Sequence, residues 1–347
     1  VEDLKMFNTA IMINDADSPE VPVRLLENFE PIKFPVPSPH FAYVRKLRRN
    51  SGLTSVRWFD KDTLFIGDFA AKSVYLVKPY ADTPVIKKIS TPDGHGVPTE
   101  TDLMDIRANS MVLTNFYTGE VAFYDVGPDC LSFSHTIMPP SKLNKQKGLL
   151  SKLFGKSKDK PIKGRKIHGA VFVPGYENLL WSSFCDSRDK GVEITKLDGS
   201  QVHSLPLPEQ AQDVAFIECY GETYAIQAAR TDHISVKAPN EKSIYVTMFV
   251  YRLPSDLEKT PPELILTRYF SGHVDAIKAY KGAVYAANQH DSCVDEFFYD
   301  PLQNELTLNR RFTGFDMPHG LDVSPDGKVA VTNYGPDNDL RIFQLDR

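Results

Sequence analysis

The amino-acid sequence predicts an all-β fold: a six-bladed β-propeller of four-stranded antiparallel blades, closed into a ring by an N-terminal strand. The first observation behind this is a unit of apolar strand, turn and apolar strand that recurs six times and is clearest from His319 to Tyr334. The second is that Gly67-Asp68-Phe69, Thr114-Asn115-Phe116, Ala287-Asn288-Gln289 and Thr332-Asn333-Tyr334 superpose as equivalent ends of the second strand. Counting back from them places first-strand starts near Thr54, Thr101, His168, Gln212, Val274 and His319. The third is spacing: three of the five intervals between these starts lie in the forties, the length a four-stranded blade requires, and the two longer ones accommodate insertions.

Third strands follow as Val74–Val77, Val121–Tyr124, Val192–Thr195, Thr247–Tyr251, Asp295–Tyr299 and Leu340–Phe343, whose alternation and aromatic content suit a sheet. Fourth strands come just before the next copy, as in Pro84–Ile89, Glu263–Thr267 and Glu305–Asn309. The sixth blade runs out of chain after its third strand. A closed ring has no free edge, so the missing strand is expected from Phe41–Arg49, just ahead of Thr54. The expected organisation is an N-terminal extension over residues 1–40, a propeller over 41–347, and a basic insertion at 141–166. Pro31, Pro35, Pro37 and Pro39 prevent regular ladder pairing in the extension, which reads as a strap across the disc or its rim.

The chain of 347 residues is 41% hydrophobic and 24% charged, enough apolar sequence for a sizeable core. Its net charge of −5 argues against a nucleic-acid partner for the disc. No run is long and apolar enough to span a membrane, and Val1–Ala10 lacks the basic start and apolar core of a secretory signal. Cys130, Cys185, Cys219 and Cys293 form no Cys-x-x-Cys pair, which favours reduced thiols and a cytoplasmic setting.

In a propeller the start of each innermost strand faces the central channel, where six backbones bring side chains together. The converging positions are Thr54, Asp102, His168, Gln212, Asp213, His273, Asp275 and His319. His168, His273 and His319 are the candidate catalytic residues, since an imidazole serves as a general base near neutral pH. Thr54, Asp102, Gln212, Asp213 and Asp275 are the candidate binding residues, and any of the three aspartates can orient an imidazole or share a cation. Gly169 and Gly320 follow two of the histidines in the same register, leaving room either for a ligand or for strands crowded near the axis.

The run Met317-Pro-His-Gly-Leu-Asp-Val-Ser-Pro-Asp-Gly-Lys-Val-Ala-Val-Thr-Asn-Tyr334 resembles blade openings of the SMP-30/gluconolactonase group of six-bladed propellers. Its ending also resembles the YVTN repeat of lactonase-like propellers. The resemblance is strong over the last blade and diffuse over residues 51–316. In that group an Asn or Asp before the glycine helps to hold a divalent cation. Here His168 and His319 occupy the matching places, and Thr54 falls where the group has a glutamate. The resemblance therefore implies a metal on His168 and His319, with zinc or iron favoured over calcium or magnesium by the change from oxygen to imidazole.

The resulting expectation is a small-molecule-binding enzyme, a lactonase-like hydrolase acting at the channel mouth, with or without a metal. Two other readings fit the same residues: a non-catalytic scaffold for protein partners, and an enzyme of non-hydrolytic rearrangement. The insertion at 141–166 carries ten lysines and arginines against Asp159, with Leu143, Leu150, Leu153 and Phe154 near one helical face. It reads as a solvated loop, a lid, or a contact for an anionic membrane or acidic partner.

Overall fold

In the computed structural model the described residues are 20–22, 32–33, 52–69, 72–80, 85–89, 101–127, 130–140, 165–186, 189–230, 245–334 and 338–345. They form six antiparallel blades and no helix, so no helix is long and apolar enough to cross a membrane. Blade one is Leu53–Trp58, Leu64–Asp68, Ser73–Lys78 and Val85–Ile89, and blade two is Thr101–Arg107, Ser110–Asn115, Val121–Val126 and Leu131–Ile137. Blades three and four begin at Ile167–Phe172 and Gln210–Cys219, and blades five and six at Val274–Tyr280 and Pro318–Val323. The starts read from the sequence are thus placed to within two residues in every blade.

Each blade is graded from inside to outside. The innermost strands Leu53–Trp58, Ile167–Phe172 and Pro318–Val323 are buried along their whole length, covered on both faces by neighbouring blades. The outermost strand Gln201–Pro206, by contrast, has no buried residue. This explains why inner strands read as continuous apolar runs and outer ones as mixed sequence. Apolar side chains fill the wedges between blades: Ile226, Met248 and Val250 meet Ile277, Val284 and Phe297 between blades four and five. Equivalent packing joins blade six to blade one through Ala330, Leu340 and Ile342 against Val56, Leu64 and Ile66.

The ring closes through the N-terminal segment, as expected, but not with the expected residues. Ile32–Lys33 pairs antiparallel with Asp339–Leu340 as the fourth strand of blade six. Phe41–Arg49 lies outside the described residues, and the edge assigned to it is held instead by a two-residue ladder that fits between Pro31 and Pro35. Glu20–Pro22 adds a parallel fifth strand to blade five beside Arg311–Thr313. The extension over residues 1–40 therefore contributes backbone pairs to the rim of two blades.

Of the basic insertion, only Arg165 and Lys166 are among the described residues. Arg165 does not belong to a solvated face: it is buried, with Nη1 2.8 Å from Glu193 Oε1 and its guanidinium 3.9 Å above the Phe184 ring. Cys130, Cys185, Cys219 and Cys293 are all unpaired.

Candidate metal and substrate site at the channel mouth

One backbone device recurs where the six inner strands reach the channel. Each first-to-second strand ladder shifts register by one residue: between Leu53 and Ser55, Thr101 and Met104, Ile167 and Gly169, Ala211 and Val214, Val274 and Ile277, and Pro318 and Gly320. A bulge releases a residue from the ladder and re-aims its side chain. The released positions include Thr54, Asp102, His168, Gln212, Asp213, Asp275 and His319. Seven of the eight residues singled out from the sequence thus lie on bulges, and His273 directly precedes one.

The structure brings five of the eight into one group. His168 Nε2 lies 3.3 Å from Asp275 Oδ1 and 3.6 Å from Asp102 Oδ2. His273 Nε2 lies 3.2 Å from Asp275 Oδ1, and His319 Nε2 is 3.9 Å from both Asp102 Oδ1 and Asp275 Oδ2. The His168 and His319 rings face each other at 5.8 Å and 14°. Thr54 stays at the edge of this group, its carbonyl accepting from His319 Nδ1 at 2.8 Å and its hydroxyl donating to Thr101 O. That bond leaves Nε2 of His319 as the nitrogen aimed at the carboxylates.

The other two residues serve the frame. Gln212 folds back, its amide donating to the carbonyls of Gln210 and Ala211. Asp213 accepts from the Ile277 N–H of the next blade at 3.1 Å. Asp105 and Asp322 make the same bond, to Phe172 N and Trp58 N. These three aspartates bind alternate blade junctions and surround Arg57 and Lys278. Burial opposes the charge of Arg57, but Asp322, Asp213 and Asp105 outweigh it and raise its pKa.

Electrostatics separates the two mouth carboxylates. Burial, then the nearby Asp275 charge, pushes Asp102 well above the usual carboxylate range. Burial would raise Asp275 too, but His273, His319 and a hydrogen bond from His168 outweigh it and hold it well below. Burial pulls His168 down to about 4 and lowers His319. His168 and His319, both shifted below the ordinary histidine value, therefore present lone pairs near neutral pH as a metal ligand needs, whereas the raised Asp102 carboxyl must be ionised to bind. His168 Nδ1 and Asp275 Oδ2 are buried without a hydrogen-bond partner, and buried orphans of this kind call for an explanation.

Asp102, His168 and His319 each offer a ligand atom, and these atoms lie within 4.8 Å of one another. Atoms about 2.1 Å from one tetrahedral ion sit roughly 3.4 Å apart, so the set fits a small transition ion after slight contraction. The sequence reading assigned the metal to the two histidines alone; the geometry adds the Asp102 carboxylate. The glycine after His319 has a different explanation from a ligand approach. A Cβ on Gly320 would come within 2.6 Å of Ser55 Cα, so what crowds it is the backbone of blade one.

Sequence reasoning missed Arg230, whose Nη1 lies 2.8 Å from His273 Nε2. It also missed the aromatic neighbours Phe116, 6.4 Å from the His168 ring, and Tyr334, 5.1 Å from the His319 ring. The alignment of second-strand ends already contained Phe116 and Tyr334, but gave no reason to point them at the mouth.

No known family profile matches the chain, and no curated protein matches it. Among solved structures, Kuenenia stuttgartiensis hydrazine synthase is similar at TM-score 0.53 and 14% identity, over 85% of this chain and 96% of that one. A putative oxidoreductase (glucose dehydrogenase) from Thermus thermophilus is similar at TM-score 0.53 and 10% identity, over 85% and 97%. The WD40 repeats of RRP9 reach TM-score 0.50 and 12% identity over 93% and 99%. At these identities the likeness establishes the propeller fold alone.

Proposed function

We propose that the channel mouth is a metal-dependent catalytic site for a small organic molecule, performing hydrolysis or a related acid–base step of the lactonase type. The observation that carries this is the Asp102, His168 and His319 set, drawn from three different blades by three separate bulges. Two imidazoles and one carboxylate leave coordination positions open, which suits catalytic zinc or non-haem iron and not a closed structural site. A bound ion of this kind polarises a carbonyl and lowers the pKa of a coordinated water.

The chain's own groups supply the rest. Asp275, ionised and with Oδ2 free, is placed to accept a proton beside the three ligands. Thr54 holds His319 in the tautomer that presents Nε2 inward. A guanidinium only donates, so the contact from Arg230 fixes His273 Nε2 as an acceptor. His273 is thus better placed to hold Arg230 than to act as a proton donor. The lactonase assignment draws its support from the last-blade motif, and a reducing, cytoplasmic setting from the four unpaired cysteines.

The test is metal content of the purified protein, followed by titration of the stripped protein with Co(II), whose visible spectrum reports coordination. Binding tighter than about 10 μM, lost on His168→Ala, together with metal-dependent ring opening in a lactone panel followed by acid release, is the expected result. Failure of the stripped protein to take up Co(II), Zn(II) or Fe(II) would overturn it.

A further inference from the structure

The residues at or just past the mouth end of the second strand of each blade form a collar: Phe69, Phe116, Cys185, Arg230, Gln289 and Tyr334 in blade order. Four of them make the same backbone bond back to the start of their own blade, Phe69 to Gly52 O, Cys185 to Lys166 O, Gln289 to His273 O and Tyr334 to Met317 O. Arg230 pairs opposite Gln210 at the start of blade four. The collar is not uniform. Blades six, one and two, which are adjacent in the ring, contribute aromatic rings, whereas blades three, four and five contribute a thiol, a guanidinium and an amide.

In blades one and two the rings touch. Phe69 and Phe116 lie edge-to-face at 6.3 Å, and Tyr117 extends the arc at 5.0 Å from Phe116. Phe69, Phe116 and Tyr334 are each half-buried, so part of every ring faces outward. Across the mouth, Arg230 is also half-buried. Its Nε donates to Gln210 Oε1 at 2.7 Å and its Nη1 to His273 Nε2. Among the described residues no carboxylate lies within the 4 Å of an ion pair with it. A cation with no carboxylate in contact and no Nη2 partner among the described residues is a poor structural choice and a ready anion anchor.

We propose that the mouth selects a small molecule with a carboxylate at one end and an aromatic or flat apolar body, the carboxylate on Arg230 and the body on the Phe69, Phe116 and Tyr334 arc. The Asp102, His168 and His319 group lies between these two anchors, because Arg230 touches His273, His273 touches Asp275, and His168 and His319 touch the rings. A single guanidinium offers one positive charge, which suits a monoanion better than a phosphate dianion. Taking that central group as the reacting centre rests on the function proposed above; the binding preference itself does not.

Calorimetric titration with phenylacetate, phenylacetamide and acetate separates the parts. The wild-type protein is expected to bind phenylacetate at least 10-fold tighter than either of the other two probes. Arg230→Gln should erase the preference over phenylacetamide while keeping the Co(II) spectrum, and Arg230→Lys should retain part of it. Phe116→Ala should erase most of the preference over acetate. Equal wild-type affinity for phenylacetate and phenylacetamide, or an Arg230→Gln protein that still prefers the anion, overturns the proposal. Should Arg230→Gln fail to fold, the wild-type ratio and Arg230→Lys decide alone. Running the series on stripped and Co(II)-loaded protein keeps the two readings apart, since a preference without metal uptake would sink only the metal site.

Discussion

The channel holds two rings of charge, and they are built on different terms. In the inner one, Asp105, Asp213 and Asp322 each give an oxygen to a backbone N–H of the next blade, and Arg57 and Lys278 neutralise them. In the mouth ring, Asp102, His168, His273, Asp275 and His319 face chiefly one another. Similar residue types, in strands of the same sheets, thus act as staples in one ring and stand ready for a ligand in the other. What separates them is whether a backbone group is within reach.

The largest effect that would test this contrast is on stability. Replacing Arg57 by Met leaves three buried carboxylates short of a cation, and breaking such a pair costs about 3–5 kcal/mol. A melting temperature more than 10 °C lower is expected, and an unchanged one would mean that the inner ring is not a staple. Next is pH. Burial raises Asp213 to about 6, from an ordinary value of 3.8, so its folded form prefers the proton. That contribution is present in full below about pH 4 and fades as the pH rises through 6. Asp213→Asn lacks the titration, so its stability relative to wild type should improve by up to about 3 kcal/mol between pH 4 and pH 7. Denaturant midpoints at the two pH values check this, and a constant difference would contradict it.

The mouth ring should respond in the opposite manner. His168→Ala with His319→Ala is expected to weaken Co(II) binding at least 100-fold while moving the melting temperature by only a few degrees, because these imidazoles carry little of the packing. Unfolding of the double variant would make them structural. The finest test counts protons. With His168 and His319 lowered and Asp102 raised, protons released on metal uptake near pH 7 should come chiefly from Asp102, so the number should fall in Asp102→Asn. Calorimetry in buffers of different ionisation enthalpy reads the number, and two or more protons would mean that the imidazoles are charged.

The ring was legible in the amino-acid order alone. Alternation and turns recur at blade spacing, and each blade's pattern is local, so first strands could be placed to within two residues even where insertions lengthen blades two and four. The same order marked which positions reach the axis, since a residue's place in the repeat fixes its distance from the channel. It did not distinguish Asp213 from Asp275, because both lie on a bulge and which of them meets the N–H of the neighbouring blade is decided by how the two blades pack. Nor did it find Arg230, which stands where Phe69, Phe116 and Tyr334 stand in their own blades. The closing strand went to Ile32–Lys33 because two backbone pairs between prolines are too short to leave a periodicity. Protonation, ligand geometry and ring closure were settled only on folding: they arise between blades, from groups that burial brings within a few ångströms across hundreds of residues of sequence.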